Sequence, residues 1–298
     1  MILDSRLGNA GLKVARSQIK ASRKRKEFRR QAGLHAALVV LSVVSLVPFY
    51  WLVATSFKSD AQVLTSPPVW VPKPVVWANY PRALDYIPFL GYMKNTLVIC
   101  LSTMFGTLLS CSLVAYSFSK IRWPGRDALF VLVLATLMLP GQVTMIPVFA
   151  IFKWLGWIGT YRPLIVPSFF GSAFFIFLLR QFFMTIPQEL SDAAKVDGAT
   201  ELGIYRMVIL PLSKPALITV GLFTFIGAWN DFLGPLIYLN DDSKYTLSLG
   251  LQQFVSQHGQ EWQLLMAAAT VMVIPIMIIF LFSQKFFIKG ITLTGIKQ

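Results

Sequence analysis

The residue types that carry out chemistry are sparse in this sequence and poorly spaced for it. Its two cysteines, Cys100 and Cys111, fall in one apolar run. On a helix they would stand about 16 Å apart along the axis, whereas a disulfide needs Cα atoms within about 7 Å. His35 and His258 are isolated from each other and from any cysteine. Each reads as an interfacial polar residue rather than a ligand. No C-x-x-C or Cys/His cluster is present, so no metal site is suggested. No Ser-His-Asp set, Cys-His pair or matched pair of carboxylates occurs in a convincing setting, which argues against an enzyme. There is no G-x-x-x-x-G-K-[ST] loop to cradle the phosphates of ATP.

The most informative stretch runs from Pro187 to Pro215. It reads as two short helices. Pro187 suits a first helical position. Glu189 and Asp192 fall in the first turns, where the helix dipole favours anions. Gly198 is placed to end the first helix in a left-handed residue. Thr200 can cap the second helix, with Glu201 following it, and Pro211 and Pro215 close it. Ala193 and Ala194 are small enough to let another surface approach closely. A helix lying on the surface, with solvent-facing acids, fits the same composition.

What must hold such a loop is visible in hydropathy. The 298 residues are 55% hydrophobic and 13% charged, against about 25% charged in soluble domains. Six runs are free or nearly free of charge: Ala36–Phe57, Thr96–Ser119, Ala128–Phe152, Pro163–Leu179, Pro215–Asn230 and Trp262–Gln284. The fourth is extended by Tyr161 and the Phe182-Phe183 pair, and the fifth continues past Asp231 through Phe232-Leu233. Crossing about 30 Å of hydrocarbon takes about 20 helical residues. Backbone groups in lipid must be bonded internally, which predicts helices. The expectation is an all-α membrane protein with six transmembrane helices. So many apolar runs leave too little polar surface for a soluble core.

Charge placement orients the spans. Ten Lys/Arg lie within residues 1–33, beside only Asp4 and Glu27. A basic arm could bind nucleic acid. It leads directly into an apolar run, however, which favours a cytoplasmic anchor and no nucleic acid. No short apolar segment with a cleavage site follows, so a cleavable signal peptide is not expected. With the N-terminus inside, 20 of the 27 Lys/Arg fall in residues 1–33, 120–127, 180–214 and from Lys285 onward. Both termini are therefore expected in the cytoplasm. The chain divides into a basic segment, 1–33, and a six-span domain, 34–298. Of the outer loops, 58–93 is rich in proline and aromatic residues, suited to interfacial anchoring or docking. The loop at 239–261 is long enough to reach an external partner. A proton- or sodium-coupled carrier usually places a charge in mid-membrane. Here charges sit at span ends, and Asp231, in Trp229-Asn230-Asp231-Phe232, is the nearest exception. The chain reads as the membrane part of a machine powered from elsewhere.

Against these residues a resemblance can be stated. Asp192-Ala193-Ala194, Gly198 and Val208-Ile209-Leu210-Pro211 resemble the EAA loop of permease subunits in binding-protein-dependent ABC importers, whose pattern is E-A-A, three residues, G, nine residues, then I-x-L-P. Asp replaces the first Glu, and Val the Ile. Ala115-Tyr116-Ser117-Phe118-Ser119-Lys120, Trp123-Pro124-Gly125-Arg126, Met138-Leu139-Pro140, Ile146-Pro147, Leu179-Arg180-Gln181-Phe182-Phe183, Phe225 to Leu233, Pro235-Leu236, Tyr245-Thr246-Leu247 and Gly250-Leu251 are similar to segments of sugar permeases. The type most resembled is the smaller permease of maltose-type carbohydrate importers. The likeness spans nearly all of the chain from about residue 40.

The resemblance implies a multi-pass protein of a bacterial inner membrane. It implies pairing with a second permease, two ATPase subunits and an external solute-binding protein. The chain itself would bind no cofactor, with ATP and Mg held by the ATPase subunits. The EAA loop, about 187–211, would seat in an ATPase cleft, so Glu189, Asp192, Ala193, Ala194, Gly198, Leu210 and Pro211 are the expected coupling residues. Asp192 is the expected polar contact, the alanines the close-packing face and Gly198 the turn. The loop Asn240–Glu261 would face the binding protein's solute site, and the tail Gly290–Gln298 the ATPases. A glycerol-phosphate solute or an autonomous carrier are the competing readings. Phe174, Phe175, Phe177 and Trp229 could stack on sugar rings, although packing or lipid contact accounts for each.

Overall fold

A computed structural model describes the backbone of residues 3–256 and 259–295, and the side chains of 26–255 and 261–285. Among the described residues the regular structure is helical apart from a two-residue antiparallel pair, Val255–Ser256 with Gly259–Gln260. The helices that matter here are α1 (Leu3–Ser56), α2 (Asn79–Tyr86), α3 (Phe89–Lys120), α4 (Arg126–Ala135), α5 (Gly141–Trp154), α6 (Ala173–Met184), α7 (Gln188–Val196), α8 (Glu201–Ile204), α9 (Lys214–Trp229), α10 (Leu233–Tyr238) and α11 (Trp262–Gly295).

Among the described residues, four helical segments are long and apolar enough to cross a membrane: Lys26–Ser56, Phe89–Lys120, Arg162–Met184 and Trp262–Lys285. Two bent pairs also pass, Arg126–Met138 with Gly141–Trp154 at 98° and Glu201–Leu212 with Lys214–Trp229 at 80°. The third apolar run is thus two helices rather than one straight span. Leu139 and Pro140 are extended, at ψ 114° and 134°. Proline disfavours the helical region for the residue before it and offers no N–H of its own. The fourth run is also interrupted. A 3-10 turn, Val166–Phe170, meets Gly171 at φ +87° before α6 begins.

Broken helices in an apolar setting need substitute hydrogen-bond partners, and α3 supplies them. Ser110 Oγ donates to the Ser168 carbonyl at 2.9 Å, and the Ser172 N–H donates to Cys111 Sγ at 3.2 Å. Both cysteines are free and buried. Helix α3 is central and packs on α6 and α9, while α11 packs on α1, α2 and α9. Two clusters of buried side chains result. One gathers Tyr116, Phe118, Leu179, Phe183, Ile204, Tyr205 and Ile209. The other gathers Ile87, Phe89, Tyr92, Trp229, Leu247, Phe254 and Leu264. The helical backbone runs from Leu3 through the basic stretch into the first apolar run without a break. The apolar window of α1 is left uncovered by the rest of the chain, as suits contact with lipid or another subunit.

The loop 58–93 is fixed by one buried amide. Asn79 Nδ2 donates to the carbonyls of Ser56 and Lys58 at 2.9 and 2.8 Å, closing the end of α1 onto α2. Trp77 and Tyr80 pack on Phe57, with centroids 4.7 and 5.1 Å away. The loop at 239–261 is bound to α3. Asn95 Nδ2 donates to the Ser243 and Tyr245 carbonyls at 2.9 and 3.0 Å, and the Leu247 N–H donates to Thr96 Oγ1 at 2.9 Å.

Candidate functional site: the loop between α6 and α9

Helix α7 begins at Gln188, with Pro187 one position earlier than the sequence suggests, as its N-cap. Glu189 in the first turn and Lys195 in the last both complement the helix dipole. The helix ends in a Schellman motif. The Gly198 N–H donates to the Lys195 carbonyl at 3.0 Å, and the Ala199 N–H to the Ala194 carbonyl at 2.9 Å. Gly198 takes φ +83°, and a Cβ there would meet nothing within 4 Å. Glycine is therefore required by backbone conformation and not by crowding.

The chain turns at once into α8. Thr200 Oγ1 accepts from the Gly203 N–H at 3.2 Å and caps it. A π turn, Tyr205–Ile209, follows. It falls where Pro211 can give no N–H to the Met207 carbonyl. Leu210–Leu212 completes the segment, and α9 departs after the 80° bend. Pro215 sits in the first turn of α9. It therefore opens that helix instead of closing the one before, as its missing N–H allows.

One side of the loop is anchored. Ile204 and Ile209 are fully buried, and Ala194 and Leu210 pack against the same cluster. A ladder on α3 reaches the loop. Ser112, Tyr116 and Lys120 are spaced four apart and share one face. Ser112 Oγ lies 2.6 Å from the Tyr205 hydroxyl, the Tyr116 hydroxyl donates to Glu201 Oε2 at 2.7 Å, and Lys120 Nζ donates to the Ile186 carbonyl. Lys195 Nζ pairs with Glu201 Oε1 at 2.8 Å. That hydrogen bond holds the Lys195 ammonium above the ordinary lysine range. Arg180 donates through Nε to the Phe118 carbonyl at 3.1 Å and lies 4.1 Å over the Phe130 ring.

The other side is open. Glu189, Asp192, Ala193 and Lys195 are exposed, and so are the apolar Leu190, Leu202 and Val196, the last 88% accessible. Gln188 Nε2 reaches Asp192 Oδ1 at 3.4 Å along the same face. The expected coupling residues therefore separate. Glu189, Asp192 and Ala193 share the open side of α7, and Gly198 forms its exposed corner. Ala194 turns towards this chain's own cluster. Leu210 and Pro211 sit in a different segment, Leu210 on its anchoring side. Sequence reasoning missed Ser112, Tyr116 and Glu201, although three polar residues spaced by four in an apolar run were a readable signal.

The other sequence candidates serve structure. Trp229 is fully buried and stacks on Phe225 at 5.5 Å, so it packs the second of the two clusters. Asp231 Oδ1 accepts from the Gly234 N–H at 3.1 Å at the turn into α10. It lines a cleft with Gln142, Thr144 and Tyr238. Among the described residues no group of His, Cys, Asp and Glu could hold a metal ion.

Residues 102–293 match the family described as binding-protein-dependent transport system inner membrane component. The trehalose/maltose transport system permease protein MalG of Thermococcus litoralis is 32% identical, over 92% of this chain and 99% of that one. The sn-glycerol-3-phosphate transport system permease protein UgpE of Yersinia pestis is also 32% identical, over 86% and 94%. Among solved structures, a chain of a bacterial ABC transporter involved in the import of the acidic polysaccharide alginate superposes with TM-score 0.77 at 25% identity, covering 87% of this chain and 97% of that one.

Proposed function

Because the chain belongs to the family of binding-protein-dependent transport system inner membrane components, we propose that it is one permease subunit of an ATP-driven carbohydrate importer and docks on its ATPase through the open side of α7. In this reading the bent pair Arg126–Met138 with Gly141–Trp154 counts as one span and α9 by itself as another, giving six, with both termini in the cytoplasm. Residues 1–33 are a cytoplasmic basic segment and 34–298 the permease domain. The partners are a second permease, two ATPase subunits that hold ATP and Mg, and an external solute-binding protein. Glu189, Asp192, Ala193 and Gly198 form or position the docking helix. Ala194 and Leu210 seat the loop on the spans, and Pro211, which is exposed, shapes the turn before α9.

The observation that carries this reading is the division of α7 into two sides. One side is anchored on the membrane helices. The other exposes Leu190, Ala193 and Val196 between acids, outside every apolar run. Exposed apolar side chains rimmed by charge mark a protein contact. Carbohydrate is the solute class favoured by the likeness to a trehalose/maltose permease and to an alginate importer. The equal identity to a glycerol-3-phosphate permease supports that solute as the second reading.

The test is a pull-down of the tagged chain from mild detergent, with ATPase assay, with and without Asp192→Lys. A second permease and an ATPase are expected to co-purify, with attachment or coupled hydrolysis weakened by the charge reversal. A chain that purifies alone and still moves solute in vesicles would be an autonomous carrier. Screening sugars against glycerol phosphates on the associated binding protein separates the two solute classes.

A further inference from the structure

Glu201 stands where three elements meet, and its two carboxylate oxygens point different ways. Oε2 accepts from the Tyr116 hydroxyl of α3 at 2.7 Å. Oε1 pairs with Lys195 Nζ in the last turn of α7 at 2.8 Å. The Thr200 cap fixes Glu201 as the first residue of α8.

We propose that Glu201 is a positioning residue: a two-armed strut, Lys195–Glu201–Tyr116, that makes α7 and the inner end of α3 move as one body. This rests on the reading of α7 as the ATPase-docking helix and extends it, by naming the membrane helix that receives the movement.

Backward along the chain α7 joins α6 through Thr185, Ile186 and Pro187, but forward its covalent route to a span is indirect. It passes the left-handed Gly198, a one-turn helix, a π turn and an 80° bend before reaching α9. Each is a place where displacement can be absorbed. The strut bypasses all of them. Its Tyr116 end is held firmly: the residue is 5% exposed, its ring lies 5.3 Å from that of Tyr205, and Tyr205 reaches Ser112 one turn back on α3. Its Lys195 end alone would be an ordinary surface ion pair, since both side chains are 46% exposed and such pairs contribute little. What distinguishes it is the buried phenol on the other oxygen, because hydrogen bonds to an ionised carboxylate are short and strong. The arms act in series, so cutting either one removes the polar tie between the last turn of α7 and α3 and leaves the packing of Ala194 and the Lys120–Ile186 hydrogen bond.

The experiment uses the importer co-purified with its ATPase subunits and carrying spin labels at Asp197→Cys, the exposed residue that ends α7, and Leu113→Cys on α3. The inter-label distance is measured without nucleotide and after trapping with MgATP and orthovanadate. The unsubstituted strut should give the same narrow distribution in both states. Tyr116→Phe, which removes one hydroxyl, should broaden or shift it on trapping. Lys195→Met should do the same, and the double variant should do no more than either alone, each read in complexes that keep their ATPase subunits. Two independent effects, one of the hydrogen bond and one of the ion pair, would add instead.

The proposal is overturned if the distance already shifts on trapping with the strut intact. It is overturned equally if both variants behave as the unsubstituted chain, or if their effects add. If no ATPase subunit co-purifies with the unsubstituted chain, the docking reading fails and the strut with it.

Discussion

Gly106 of α3 lies against Phe169, so close that a Cβ at position 106 would stand 2.7 Å from the Phe169 ring and closer still to Ser168 Oγ. Helices in lipid associate through close packing over small residues, because burial of apolar surface gives no net drive there. This contact lets the interrupted segment before α6 settle on α3, where Ser110 satisfies the Ser168 carbonyl. Gly106→Val should therefore destabilise the purified protein by about 1–3 kcal/mol through overpacking, read as a lowered midpoint of thermal unfolding in detergent. An unchanged midpoint would mean that Phe169 swings away freely.

At Gly198 the requirement is conformational. A left-handed non-glycine residue costs about 1–2 kcal/mol, and asparagine tolerates the region best. Gly198→Ala should raise amide hydrogen exchange across residues 194–204, and Gly198→Asn should raise it less. Since nothing surrounds the missing Cβ, equal effects of the two substitutions would contradict a backbone origin.

Asn79 closes the loop 58–93 with both amide protons. Asn79→Ala leaves the Ser56 and Lys58 carbonyls without that donor, and an unmet buried polar group costs about 1–3 kcal/mol. Limited proteolysis should cut the segment 58–78 faster in this variant. Asn79→Asp, which offers acceptors where donors are needed, should do no better.

Cys111 acts as a hydrogen-bond acceptor for the Ser172 N–H, at the point where α6 restarts. Cys111→Val should lower thermal stability more than Cys100→Val, since no comparable backbone donor is seen on Cys100 among the described contacts. Both thiols are buried, so maleimide should label neither until the protein unfolds.

Much of this was readable from residue order. Gly198 and Thr200 announce a helix end and a helix start, and both local motifs form as their residue types dictate. Local signals suffice there because the partners lie within a few residues. The 98° bend was harder to read. Hydropathy reports that Ala128–Phe152 is apolar and says nothing of direction, and Pro140 was the only mark of the break. Tyr116 and Glu201 are 85 residues apart, as Asn79 and Ser56 are 23 apart. Neither partner can be chosen from spacing, only from the packed helices. The polar repeat Ser112, Tyr116, Lys120 stands in the sequence, but spacing alone names no partner for it and it went unread.

The central claim is that the open side of α7 seats on an ATPase subunit. A single-cysteine cross-link tests it most directly. Ala193→Cys is exposed, and the two native thiols are buried. In the co-purified complex a bifunctional maleimide should join position 193 to the ATPase subunit, whereas Trp77→Cys, exposed in the loop 58–93, should give no such product. A cross-link to the ATPase from position 77 and none from 193, in an intact complex, would contradict the account.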